Sequence, residues 1–222
     1  MTRFIVIRHG RSTANSKGVF SCMQDVPLAP IGIKQAQYVA RYLAEHEHID
    51  AIYTSGMLRT VQTARPTAEC FDLPLHTNTD LREIFAGLWE GFSYPELHRH
   101  FHEDWMNWLF DFSNARCTGG ESVRELYRRI EQAIHRLASE NEGRTVLLTT
   151  HCTPLRVIIG LAMGLSPEHI DRAPTPTNAT VNIFNYENGC LTAETIGLVT
   201  YPDALLSTNE HPFPPRMPKG LK

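Results

Sequence analysis

Two runs of consecutive apolar β-formers, FIVI at residues 4 to 7 and TVLLTT at 145 to 150, constrain this chain more than any other feature. A strand with one wet face alternates apolar and polar residues. A run without alternation needs cover on both faces, as a parallel strand inside an α/β sheet has. AIYTS (51 to 55) is a weaker third strand. Ala36, Val39, Ala40 and Leu43 recur at helical spacing over residues 31 to 46, and Val123, Leu126, Ile130, Ile134 and Leu137 do so over 121 to 138. The second stretch opens with Ser122-x-x-Glu125, the pattern of a capping box. TVNIFNYE, Asn188-Gly189 and CLTAETIG predict a hairpin with a type I′ turn at one edge of the sheet. The expected fold is α/β with three layers: a mixed, mostly parallel sheet with helices on both faces.

The chain has 222 residues, 42% of them hydrophobic, which suits one domain with a sizeable core. A net charge of −3 without a Lys/Arg block argues against a nucleic-acid or membrane surface as partner, so any cationic site must be local. The five cysteines are odd in number and lack C-x-x-C spacing, which argues against a disulfide framework or a zinc ribbon. FIVI is too short for a signal core or a membrane span. A cytoplasmic protein with reduced thiols is expected. From Pro202 the chain loses periodicity and carries four further prolines, so residues 202–222 read as a tail behind a single unit over 1–201.

Arg8-His9-Gly10 follows the first apolar run, and ligands of open α/β sheets gather beyond the carboxyl ends of strands. The tripeptide alone is weak evidence. His151, however, follows the other strong strand and precedes a helical pattern at 155 to 163. If the two strands are neighbours, both imidazoles share one crevice.

The ordered motifs RHGRSTAN, PLAPIGIKQAQ, SGMLRTVQTA, LREIFAGLWEG, GGES and LLTTHCTPLR resemble the histidine phosphatase (phosphoglycerate mutase-like) superfamily over about residues 3 to 198. GLWEG and PTNATV look more like its phosphatase branch. The resemblance implies a metal-independent phosphomonoesterase without a cofactor, acting on a small-molecule phosphate ester. It implies His9 as the phosphorylated nucleophile, Arg8, Asn15, Arg59 and His151 as holders of the phosphoryl group, and Glu83 as proton donor to the leaving group. It also implies a lid insertion at about 92–118 roofing the site. The rival reading within the superfamily is a cofactor-dependent phosphoglycerate mutase. A phospholigand-binding scaffold on the same fold is the non-enzymatic rival.

The residue types suit the chemistry. Arginines can fork onto phosphoryl oxygens and stay charged at any working pH. His9 attacks only as a neutral imidazole, so its other nitrogen should donate to a backbone carbonyl. His151, beside phosphate, is expected to favour imidazolium. Several positions depart from the family pattern: Arg11 stands where Glu or Gln is usual, and Ala29 where Thr is. Cys22, after Ser21, replaces a common glycine, and Cys152-Thr153 replaces a glycine pair. Ser21, Cys22 and Cys152 are expected at the phosphate and substrate rim. Cys152 as nucleophile is disfavoured because the C-x5-R loop is absent.

The segment from 92 to 112 adds Phe92, Tyr94, Phe101, Trp105, Trp108, Phe110 and Phe112, which suit either a core or a substrate platform, and several acids that would discourage a second anionic group on the substrate. His98 and His102 lie at i, i+4 on an expected helix and read as a solvated lid face rather than a metal site.

Overall fold

The computed structural model describes residues 1–206. The chain runs β1 (Thr2–Arg8), α1 (Thr13–Lys17), α2 (Pro30–His46), β2 (Ala51–Thr54), α3 (Leu58–Phe71) and β3 (Leu75–Thr77). Short helices α4 (Tyr94–His100) and α5 (His102–Phe110) follow, then α6 (Val123–Glu140), β4 (Thr145–Thr150), α7 (Cys152–Ala162) and the hairpin β5 (Val181–Glu187) and β6 (Cys190–Leu198). One six-stranded sheet has the order β3-β2-β4-β1-β5-β6. Its first four strands are parallel, and β5 and β6 are antiparallel additions.

The unbroken apolar runs are explained by two cores. Phe4, Val6, Val146 and Leu148 point into one, packed by α6, α7 and the lid. Ile5, Ile7 and Leu147 point into the other, against α2 and α3. Successive side chains of a strand face opposite ways, and here both directions are dry. The expected three-layer fold is therefore present. Ser122 and Glu125 do form a capping box, and Asn188 and Gly189 both take positive φ, as a type I′ turn requires.

Two local expectations need correction. His98 and His102 do not share a helix, because Phe101 (φ −133°, ψ 44°) ends α4 and starts α5, its ring edge-on to Phe92 at 5.6 Å. No group of three or more His, Cys, Asp or Glu side chains suited to a metal occurs among the described residues. The chain also stays docked beyond 201: Leu205 and Leu206 pack on the second core, and Gln35 Nε2 donates to the Leu205 carbonyl at 2.8 Å. The rest of the expected tail, 207–222, lies outside the described residues. No helix among those described is long and apolar enough to cross a membrane.

Candidate active site

β1 and β4 are parallel neighbours with Arg8 opposite Thr150, so His9 and His151 leave equivalent strand ends. The chain after β1 goes to α2 on one face, and the chain after β4 goes to α7 on the other. Connections that depart to opposite faces open a crevice at the strand ends. The two imidazoles meet there edge-on, ring centroids 5.2 Å apart.

His9 is 5% exposed, and its Nδ1 lies 2.7 Å from the Gly10 carbonyl. Donation from Nδ1 leaves the lone pair on Nε2. Burial, then the charges of Arg59 and Arg8, hold the pKa of His9 well below 6.5. The backbone around it is fastened from the far end of the chain: Asn178 Nδ2 donates to the His9 carbonyl at 2.8 Å, and Ala179 N donates to the Arg8 carbonyl at 2.9 Å. Asn15 Oδ1 accepts from Ser12 N in the cap of α1, which leaves its amide nitrogen as the end to offer a ligand.

Arg8, His9, Asn15, Ser21, Cys22, Glu83 and Cys152 all line one pocket, which encloses about 620 Å³ with its open mouth included. The Ser21 hydroxyl oxygen is buried there without a hydrogen-bond partner. Burial raises the thiol pKa of both Cys22 and Cys152, so neither is a ready thiolate.

Arg59 and His151 stand next to these residues, the His151 ring edge-on to His9 and Arg59 bonded to it. The Nη atoms of Arg59 donate to the carbonyls of Cys22 (2.7 Å) and Gln24 (3.0 Å), and its Nε donates to His151 Nδ1 (3.2 Å). His151 Nε2 lies 2.8 Å from Ser55 Oγ, which lies 2.9 Å from Thr60 Oγ1, which donates to the Met57 carbonyl. The directions of this chain close only with a proton on Nε2 and a lone pair on Nδ1. The ring is neutral in this arrangement, its pKa held well below 6.5 by burial and by Arg59; the imidazolium expected beside phosphate concerns the loaded site.

The Glu83 carboxylate accepts from Ile84 N at 2.9 Å and from Thr153 N at 3.3 Å, in the first turn of α7. Arg129 holds its backbone, donating to the carbonyls of Asp80, Arg82 and Glu83 while paired with Glu121 at 2.7 Å. Glu90 accepts from the successive N–H groups of Cys22 (2.8 Å), Met23 (3.1 Å) and Gln24 (3.0 Å). The loop 22–24 is thus gripped by its donors from Glu90 and by its acceptors from Arg59. Glu90, Glu121 and Asn178 lie inside the motifs that carry the family resemblance, but neither their spacing nor that of Arg129 in the sequence signals these roles.

The lid aromatics serve two ends at once. Trp105 and Trp108 are 3% exposed and belong to the first core, yet they line the pocket with Tyr94 and with Phe20, whose part sequence reasoning missed. Phe110 instead points outward, 57% exposed.

The sequence profile of the histidine phosphatase superfamily (branch 1) matches residues 4–198. Phosphoserine phosphatase 1 of Hydrogenobacter thermophilus is 30% identical over 165 residues, covering 74% of this chain and 78% of that protein. Adenosylcobalamin/alpha-ribazole phosphatase of Salmonella typhimurium is 30% identical over 191 residues, covering 86% and 89%. The solved structure of Bacillus stearothermophilus YhfR superposes with a TM-score of 0.84 at 25% identity, covering 90% of this chain and 98% of that one.

Proposed function

The chain belongs to the histidine phosphatase superfamily, branch 1, and is a phosphoric monoester hydrolase; from that premise we propose that it works through a phosphohistidine on His9. The observation that carries the assignment is the Nδ1 contact with the Gly10 carbonyl, which leaves a nucleophilic Nε2 on a neutral ring at the pocket. Nε2 attacks phosphorus and the bond to the leaving oxygen breaks, with Glu83 giving that oxygen a proton. Water then attacks the phosphohistidine, Glu83 recovers a proton from it, and the P–N bond breaks to release phosphate. Arg8 and the Asn15 amide supply positive charge and a donor to the phosphoryl oxygens. Arg59 and His151, next to His9, orient the loop 22–24 and the face of the His9 ring.

The charged side chains lining the pocket are Arg8 and Glu83. A mutase must hold a bisphosphate, which needs further cations, so this lining favours hydrolysis. None of the five cysteines, all among the described residues, is assigned to a disulfide, which supports a reducing, cytoplasmic setting.

The test is rapid-quench trapping with a labelled phosphomonoester. Acid-labile phosphate on His9 is expected, with turnover lost in His9→Ala while the variant stays folded. Label on Cys152 would sink the assignment.

A further inference from the structure

Resting on the reading of this pocket as a phosphomonoesterase site, we propose that its preferred substrates are phosphate esters of uncharged, ring-bearing alcohols. Esters whose alcohol carries a carboxylate are then poor substrates. The pocket lining is of two chemical kinds. Arg8, His9, Asn15 and Glu83 gather at the phosphoryl end, whereas Val19, Phe20, Tyr94, Trp105 and Trp108 line the space left for the alcohol.

The apolar lining is a built surface. Tyr94 and Trp105 stack with ring centroids 5.9 Å apart and planes 13° apart. Phe20 stands edge-on to Trp105 at 6.4 Å and to Trp108 at 5.5 Å. Behind them Trp89, fully buried, meets Trp105 at 5.7 Å and Trp108 at 5.8 Å while its Nε1 donates to Thr118 Oγ1 at 2.9 Å. Rings held this way lose little freedom on binding, so the apolar area they offer is not offset by ordering.

The charges point the same way. A carboxylate on the alcohol would lie against indole and phenol faces, which carry negative π density, and would lose water without gaining a cation. Arg59 is engaged with two backbone carbonyls and His151, Arg82 Nε donates to the Ser55 carbonyl, and Arg11 Nε donates to Ser16 Oγ on the exposed side. The acids of the lid are not among the residues that line the pocket. Glu96 caps α4 through Ser93, Asp104 accepts from Thr118, and Asp111 accepts from Asn114.

The experiment compares four esters on the wild-type enzyme: 2-phenylethyl phosphate, glycerol 3-phosphate, 3-phosphoglycerate and phosphoserine. All leave as primary alkyl alcohols, so intrinsic leaving ability does not decide the order. The phenylethyl ester should exceed glycerol 3-phosphate in kcat/KM by about tenfold, the equivalent of about 1.4 kcal/mol or about 55 Å² of apolar surface removed from water. The two carboxylate esters should fall below glycerol 3-phosphate. Tyr94→Ala, at a half-buried position, should lower kcat/KM for the phenylethyl ester more than for glycerol 3-phosphate, which removes the phenylethyl advantage, and Val19→Lys should raise the carboxylate esters. Trp105→Ala should act like Tyr94→Ala, its fold checked by circular dichroism. Preference for 3-phosphoglycerate or phosphoserine, or an equal loss on both neutral esters in Tyr94→Ala, would overturn the assignment. 4-Nitrophenyl phosphate separates the two levels: if it too is inert, the hydrolase reading itself fails, and if it is cleaved, only the substrate class does.

Discussion

Arg59 gives its Nε–H to the Nδ1 of His151 at 3.2 Å, so one buried cation sets the tautomer of one buried imidazole. The same guanidinium satisfies the carbonyls of Cys22 and Gln24, on a loop whose N–H groups are held by Glu90. Arg59→Met leaves those acceptors without their donor. The expected cost is about 3 kcal/mol or more, since an unmet buried polar group costs about 1–3 kcal/mol. Urea unfolding of the two proteins measures it. Glu90→Ala should loosen the same loop from its other side and lower kcat/KM about tenfold, with partial recovery in Glu90→Gln, which keeps one acceptor oxygen. Wild-type kinetics in Glu90→Ala would show that the grip on the loop has no part in the reaction.

Stability should fall on the acid side of pH 6.5. Burial first, and the Arg59 charge next, hold both His9 and His151 well below that value in the folded protein. Above pH 6.5 neither state takes up protons on these rings, and their contribution is fully present. Below it the unfolded chain binds two protons that the folded chain refuses, so stability is lost with a slope of up to about 2.7 kcal/mol per pH unit. Unfolding midpoints measured from pH 7 down to about 5 test this, and His9→Gln should make the slope shallower by about half. A flat profile would contradict it.

In the proposed mechanism Glu83 protonates the leaving group, so its removal should matter most where the leaving group is poor. Glu83→Gln keeps an acceptor toward the Ile84 and Thr153 N–H groups but cannot transfer a proton. It should slow alkyl phosphates by about 10²–10⁴-fold and 4-nitrophenyl phosphate far less. The pH–rate profile of the wild type should be bell-shaped, its limbs belonging to the coupled site as a whole. Turnover should persist in EDTA, and activity lost to the chelator and restored by a divalent metal would refute this scheme.

Gly10 is needed for closeness. A Cβ there would lie 2.6 Å from the Gly32 carbonyl oxygen in the first turn of α2, and one on Gly32 would lie 2.2 Å from the Arg11 carbonyl oxygen. Gly10→Ala should therefore cost about 1–3 kcal/mol and lower kcat by moving His9 off its line of attack. Denaturation and steady-state kinetics on the purified variant check both effects, and an Ala variant matching wild type would mean that the two backbones separate without penalty.

What the sequence determined by itself is local. FIVI and TVLLTT announce strands covered on both faces because every residue of a strand reports its own burial, and α6 announces its face and its cap within one turn. A histidine at each strand end was legible for the same reason. Tertiary structure decided everything that depends on residues far apart in the chain. Glu90 reaches a loop 66 to 68 positions away, Arg129 reaches Glu83 across 46, and Asn178 reaches His9 across 169. It also tied Arg59 to His151 and to the loop 22–24, and broke the lid at Phe101 so that Trp105 and Trp108 could serve core and pocket together. Periodicity encodes which way a side chain points. It does not encode which distant donor or acceptor the packing brings within hydrogen-bonding distance, and here those long-range hydrogen bonds set the protonation and the aim of the candidate catalytic groups.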